Sequence, residues 1–168
     1  MLSNREIEFL WRLTVGAVNR IVACLNGLTE EDLNWRPVEN ANSLFVLATH
    51  TMANVEENIL GVLCRQTVNR HRDEEFRAQG NASEPLAQRW RDLKERASSC
   101  LSKLGSSDLD REYEHRRRGR VTGREQLIVV ACHALEHRGQ AELTRDMLFA
   151  ARGRPLPPRD EFGAPIGG

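Results

Sequence analysis

The chain has 168 residues, of which 40% are hydrophobic and 29% are charged, which is the balance of one ordinary globular domain. Its 24 basic and 24 acidic residues give a formal net charge of zero, so it lacks the basic excess with which nucleic-acid-binding proteins displace counterions. No apolar stretch approaches the ~18 residues that cross a bilayer, and residues 1–6 lack the apolar core of a signal peptide.

Helical periodicity dominates the first third of the chain. The spacing predicts a first helix over residues 4–26, with Ser3 or Asn4 as its N-cap, followed by a loop over 29–41. A second helix is predicted over 44–65, capped by Asn42 or Ser43 and apolar around much of its circumference, so it should be the most buried helix. The first helix should bury a seam spaced alternately three and four apart: Ile7, Leu10, Thr14, Ala17, Ile21, Cys24 and Leu28.

Two further helices follow, separated by polar loops. Ser83 is expected to cap a third helix, which ends near residue 104, after a polar segment over 66–82. A second polar loop then runs to residue 121, and Thr122 with Glu125 forms a capping box for a fourth helix that ends near residue 152. The pattern predicts an all-α four-helix bundle over residues 1–152 and a flexible tail, rich in proline and glycine, over 153–168.

His133 and His137 lie four residues apart, so on the fourth helix their side chains share one face. Val129, Val130, Ala141, Met147 and Leu148 flank them, whereas the charged side chains, Arg145 among them, fall on the other arc. Buried polar groups without partners cost about 1–3 kcal/mol each, so two stacked imidazoles need a common partner. A metal ion provides one, because imidazole is its commonest protein ligand.

His50 on the second helix offers a third ligand, because it too lies on a mostly apolar face. Three histidines leave a coordination position open, and a nitrogen-only set suits zinc, nickel, cobalt or iron(II). The alternative is that all three are hydrogen-bonded core residues without a metal. Gln140 then either binds substrate or hydrogen-bonds a ring. The remaining histidines, at positions 71 and 115, lie in charged loops and should be solvated.

Glu57 is the candidate catalytic residue, two turns beyond His50 on the same face. Three roles are open to it: a fourth ligand, a general base, or a carboxylate at the solvent-exposed rim. A base role or a hydrogen bond to a ligating imidazole is favoured, because such rings usually donate their other N–H to a neighbouring group.

The four cysteines, Cys24, Cys64, Cys100 and Cys132, are far apart and form no Cys-x-x-Cys pair. In a chain without a signal peptide this predicts reduced, buried thiols and a cytoplasmic location.

Two segments resemble the DinB/YfiT-like family of four-helix-bundle proteins. Residues 35–37 (Trp-Arg-Pro), 42–44 (Asn-Ser-Leu) and His50 resemble the first signature of that family, and residues 133–140 (His-Ala-Leu-Glu-His-Arg-Gly-Gln) resemble the second. The resemblance implies an up-down-down-up bundle over roughly residues 5–152, a divalent cation (most often zinc or nickel) held by His50, His133 and His137, and a homodimer. Some members are transferases or isomerases that use a low-molecular-weight thiol.

Three hypotheses for function follow. The first is a metal-dependent enzyme that acts on a small molecule, either by activating a low-molecular-weight thiol or by activating water as a hydrolase. The second is a non-catalytic metal-dependent ligand binder or stress-response dimer, in which Glu57 closes the metal site as a fourth ligand. The third is a bundle that binds no metal.

Overall fold

The computed structural model describes residues 4–156 and residue 158. In this part of the chain it contains seven helices and one two-stranded hairpin, and none of these helices is long and apolar enough to span a membrane. Helix α3 continues without a break into a π-helical segment, Glu56–Leu63. The elements are α1 (Arg5–Ala23), α2 (Glu30–Asn34), α3 (Leu44–Val55), α4 (Arg72–Glu75), α5 (Glu84–Leu101), α6 (Ser106–Asp110), β1 (Glu112–His115), β2 (Gly119–Thr122) and α7 (Gly123–Ala151).

Helices α1, α3, α5 and α7 form the bundle, and side-chain contacts give their directions. Helices α1 and α7 run parallel, whereas α3 runs antiparallel to α7 and α5 runs antiparallel to α1. The topology is therefore up-down-down-up, which confirms the predicted fold class. The pairs that fix these directions are Glu6–Arg124 and Arg20–Glu142, then His50–His133 and Asn58–Gln126, then Trp11–Ser98 and Asn19–Trp90.

The predicted caps begin three of the four bundle helices. Asn4 caps α1, Ser43 caps α3, and Thr122 with Glu125 forms the capping box of α7. Ser83 precedes α5 but its side chain makes no capping hydrogen bond. The predicted seam of α1 is buried at five of its seven positions, and Leu10 and Leu28 pack partly buried against the core.

The predicted polar loop over residues 105–121 is wrong in part, because it contains α6 and the β1–β2 hairpin. The strands pair in register from Glu112 opposite Thr122 to His115 opposite Gly119. Alternate residues of β1 point inward, which buries Tyr113 and His115, so the expectation that His115 is solvated is also wrong. Four alternating residues are too short a signal to stand out from a polar loop.

The cysteine prediction is wrong for three of the four side chains. Cys64 and Cys100 form a disulfide, with their Cα atoms 6.2 Å apart, and Cys132 is exposed. Only Cys24 is a buried free thiol. The disulfide joins the end of the π-helical segment to α5, and sequence spacing does not reveal it because the partners are 36 residues apart.

The predicted division into a bundle over 1–152 and a tail over 153–168 stays a prediction. Of the tail, residues 157 and 159–168 lie outside the described residues, as does Ser3 at the amino end. Arg154 is described, and its Nη1 lies 2.6 Å from a carboxylate oxygen of the buried Asp32.

Candidate metal centre

Three imidazoles from two helices meet inside the bundle. His50 extends from α3, and His133 and His137 extend from successive turns of α7. The Nε2 atom of His133 lies 3.2 Å from Nε2 of His50 and 3.1 Å from Nε2 of His137. Two nitrogens bound to one tetrahedral ion at ~2.0–2.1 Å lie roughly 3.3 Å apart, so these separations match the ligands of a single metal ion.

The outer nitrogen of two of these rings is already committed to a neighbouring oxygen. His50 Nδ1–H donates to Glu75 Oε2 at 2.7 Å, and His137 Nδ1–H donates to Gln140 Oε1 at 2.8 Å. Because neutral imidazole carries one N–H, the Nε2 atoms of both rings present lone pairs to the centre. The buried Nδ1 of His133 has no hydrogen-bond partner among the described residues.

This arrangement fits a bound cation better than a hydrogen-bonded cluster. A single N–H on Nε2 of His133 can donate to one of the two facing lone pairs but leaves the other unsatisfied. A divalent ion accepts all three nitrogens. Within the described residues, these histidines are the one group of three His, Cys, Asp or Glu side chains close enough to share an ion.

Burial keeps the α7 histidines in the neutral form that binds metals. It lowers the pKa of His133 to about 3, with the neighbouring His137 and His50 adding to the effect. Burial also lowers the pKa of His137, although its hydrogen bond with Gln140 opposes the shift. Metal binding at neutral pH therefore displaces no proton from either ring.

Glu75 and Arg70 support His50 from outside the histidine cluster. The Arg70 side chain, 4% exposed, donates from Nε and Nη2 to the two oxygens of Glu75 at 2.6 and 2.8 Å. Burial alone would raise the pKa of Glu75, but the hydrogen bonds from Arg70 and His50 outweigh it and lower the pKa to about 2. The carboxylate is thus charged at neutral pH and holds His50 in the tautomer that directs Nε2 inward.

Glu57 lies in the same network but does not contact the histidines. Its Oε2 accepts a hydrogen bond from Arg70 Nη1 at 2.7 Å and lies 3.7 Å from Nη2 of Arg117. The contact with His50 that the sequence suggested for Glu57 is made by Glu75 instead. A catalytic role for Glu57 stays a prediction.

Sequence reasoning missed Glu75 and Arg70, because both lie in the charged segment between the second and third predicted helices. One weak signal was present in the sequence, because three consecutive acidic residues occupy positions 73–75. Which of them faces His50 depends on how this segment folds back over α3. In the structure Phe76 also packs on the His50 ring, with 4.7 Å between the ring centroids.

Comparisons with known proteins agree with this architecture. A family model described as mycothiol-S-transferase matches residues 15–149. A conserved protein from Enterococcus faecalis has a similar structure, with a TM-score of 0.73 and 17% identity over 89% of this chain and 99% of the other. A DinB-like protein from Bacillus cereus gives a TM-score of 0.69 and 18% identity over 95% of this chain and 100% of the other. These two likenesses show the fold alone, and no curated protein matches the chain.

Proposed function

The chain belongs to the mycothiol-S-transferase family, and on this basis we propose that it is a metal-dependent enzyme that joins mycothiol, through its sulfur, to an electrophilic small molecule. In this reaction the thiol sulfur forms a bond to a carbon of the acceptor. The leaving group departs with the electron pair of its former bond and takes up the thiol proton. The proposal needs a site for a divalent cation and an open position beside it.

The observation that carries the proposal is the convergence of the three Nε2 atoms of His50, His133 and His137. Glu75 and Gln140 take the outer N–H groups of His50 and His137, so the chain itself sets both tautomers for ligation. A divalent cation held there supplies a Lewis acid that lowers the pKa of a thiol, so that the thiolate nucleophile forms at neutral pH.

An open coordination position is supported by the way Arg70 binds Glu57. The Arg70 guanidinium donates a hydrogen bond to Glu57 Oε2 at 2.7 Å, so Glu57 is held away from the histidines. No other acidic side chain among the described residues lies close enough to the three histidines to be a fourth ligand. Three protein ligands and a free position are the arrangement of catalytic rather than structural zinc sites. This favours an enzyme over a bundle whose metal is only structural.

Elemental analysis and a thiol-transfer assay test the proposal together. We expect near-stoichiometric zinc or nickel in the purified protein, and mycothiol-dependent turnover of a fluorogenic alkyl halide. A His133→Ala, His137→Ala double variant should lose both the metal and the turnover. His71→Ala is the matched control, because the His71 side chain is 58% exposed and lies outside the cluster. A protein that takes up none of zinc, nickel, cobalt or iron(II) would rule out the proposal.

This pair of measurements tests metal binding and the transferase reaction independently. Full metal occupancy without any thiol-dependent turnover would refute the transferase and leave the hydrolase or the ligand binder. The expected homodimer stays a prediction, which size-exclusion chromatography with light scattering can check.

A further inference from the structure

Helix α4 and its C-cap residue carry three side chains on the face that lies over His50. Arg72, Glu75 and Phe76 are spaced three and four residues apart, so they project from the same side of this turn. Glu75 accepts the Nδ1–H of His50, and the Phe76 ring packs against the His50 ring. The Cζ atom of Arg72 lies over the Phe76 ring, 4.8 Å from its centroid. This face of α4 therefore places a guanidinium group beside the metal centre.

Arg72 is close enough to act on a molecule that is bound at the three histidines. The centroid of the Phe76 ring is 4.7 Å from that of His50, so the Arg72 Cζ atom is at most about 9.5 Å from the His50 ring, the sum of the two distances. The charge of Arg72 also reaches His133 on α7. Burial is the main cause of the low pKa of His133, and Arg72 is among the charged neighbours that lower it further. A small organic molecule can span such a distance.

The guanidinium of Arg72 has no anionic partner in the part of the chain that the structure describes. Its contact there is the stacking on Phe76, at an exposed position. Stacking uses the face of the guanidinium plane, so the N–H donors at its edge stay available, and their geometry matches the two oxygens of a carboxylate. Arg70 differs in this respect, because its donors are committed to Glu75 and Glu57.

The charges around the histidines favour an anionic ligand. Burial keeps both α7 histidines neutral, and the Glu75 carboxylate is balanced by Arg70. The exposed Glu136 on α7 accepts a hydrogen bond from Gln140 at 3.3 Å. A divalent cation bound by the histidines would add its charge to that of Arg72. A negatively charged acceptor is therefore attracted to this site more strongly than a neutral one.

We propose that Arg72 binds a carboxylate of the electrophilic acceptor, so that the acceptors of this protein are organic acids. The proposal rests on the proposed function for the transfer reaction. The thiolate sulfur forms a bond to the electrophilic carbon, and the leaving group departs with the electron pair of its former bond. Arg72 holds the carboxylate during this step and exchanges no proton or electron. Arg72 is then a specificity-determining residue, and Phe76 is the residue that positions it.

Two benzylic bromides that differ in charge but not in shape test this assignment. 4-(Bromomethyl)benzoate carries a carboxylate across the ring from its reacting carbon, whereas 4-(bromomethyl)benzamide carries a neutral amide there. We expect kcat/KM with mycothiol, after subtraction of the uncatalysed rate, to favour the benzoate by about tenfold or more, and Arg72→Gln to remove this preference. Arg77→Gln is the matched control, because it removes the same charge from an exposed position in the turn after α4 and should keep the preference.

Binding of 4-methylbenzoate to the purified full-length protein, measured by NMR titration without mycothiol, supplies a readout that does not depend on turnover. Any contact between the carboxylate and a metal ion is common to the parent protein and the variants, so the difference between them reports on Arg72. We expect Kd to rise by about fivefold or more in Arg72→Gln. In Arg77→Gln it should stay within about twofold of the parent value.

The same acceptor preference in the parent protein and in Arg72→Gln would overturn the proposal. That result is the one expected of a guanidinium that only packs on Phe76, because its loss would change both rates alike. Equal binding of 4-methylbenzoate by the parent protein and Arg72→Gln would overturn the proposal as well. If neither bromide reacts while Arg72→Gln still weakens the binding of 4-methylbenzoate, the anion site stands and the proposed transferase reaction is refuted instead.

Discussion

Replacing Glu75 with glutamine should weaken metal binding without removing any of the three histidines. The Glu75 carboxylate accepts the Nδ1–H of His50 at 2.7 Å and is charged, because Arg70 and His50 lower its pKa to about 2. Glutamine keeps the size of the side chain and one acceptor oxygen, but it loses the negative charge that strengthens His50 Nε2 as an electron-pair donor to the metal. Loss of such a supporting partner typically costs ~10–100-fold in metal affinity, which corresponds to about 1.4–2.7 kcal/mol.

The affinity for zinc can be measured at pH 7 by competition with a chromophoric chelator. Glu74→Gln is the matched control, because the Glu74 side chain is next to Glu75 in the chain but is 77% exposed, and its carboxylate lies 4.0 Å from Nδ1 of the exposed His71. Thermal unfolding of the metal-free proteins separates a loss of affinity from a loss of fold. An affinity for Glu75→Gln within twofold of the parent protein would refute the role assigned to Glu75.

Three further predictions concern other parts of the molecule. Thiol titration should detect Cys132 in the native protein, Cys24 as well after denaturation, and all four cysteines only after reduction. Cys24 should not react in the native protein because burial raises the pKa of its thiol to about 11, and the other two cysteines are held in the disulfide. Detection of four thiols without reductant would contradict the disulfide. Gly123→Ala should lower the free energy of unfolding by about 1–3 kcal/mol, since an added Cβ would clash with the backbone oxygen of Asp108. Gly139→Ala on the same helix has open space around the added Cβ and should raise the free energy of unfolding by about 0.5–1 kcal/mol, and equal midpoints in urea would contradict this. Burial alone would raise the pKa of Asp32, but Arg154 and Arg152 outweigh it and hold the pKa below its ordinary value of 3.8, so Asp32 stabilises the fold fully above that value and loses this effect as the pH falls through the lower folded value. Asp32→Asn should therefore shift the urea midpoint at pH 7 more than at pH 3, and the exposed Asp73→Asn should shift neither.

The helices of the bundle were predictable because their signals are local. Asn4, Ser43 and Thr122 each stand directly before a periodic apolar run, and a side chain at that position satisfies the free backbone N–H groups of the first turn. The pairing of His133 with His137 is equally local, because one helical turn places both on one face. All three histidines lie on mostly apolar helix faces, and this pattern predicted that His50 would face His133 and His137 inside the bundle.

Weak periodicity limited the same reasoning on α7. Val129 and Met147, which the sequence assigned to the inward face, are each 41% exposed, whereas Arg145, assigned to the outward arc, is buried. This helix packs against α1 and α3 at the same time, so its buried arc is broader than one stripe and is offset from the line of histidines. A helical wheel gives the spacing of side chains but not the positions of the neighbouring helices.

Local signals in the chain are enough to predict the four long helices and the three histidines, because capping and periodicity act within a few residues. The surroundings of the histidines depend instead on contacts between segments that are distant in the chain. Glu75 and Arg70 reach His50 from a segment about 20–25 residues away, and the hairpin that carries His115 docks on Asn58 from 57 residues away. Contacts at such separations depend on how irregular segments fold over the bundle, and no repeating pattern in the chain encodes that path.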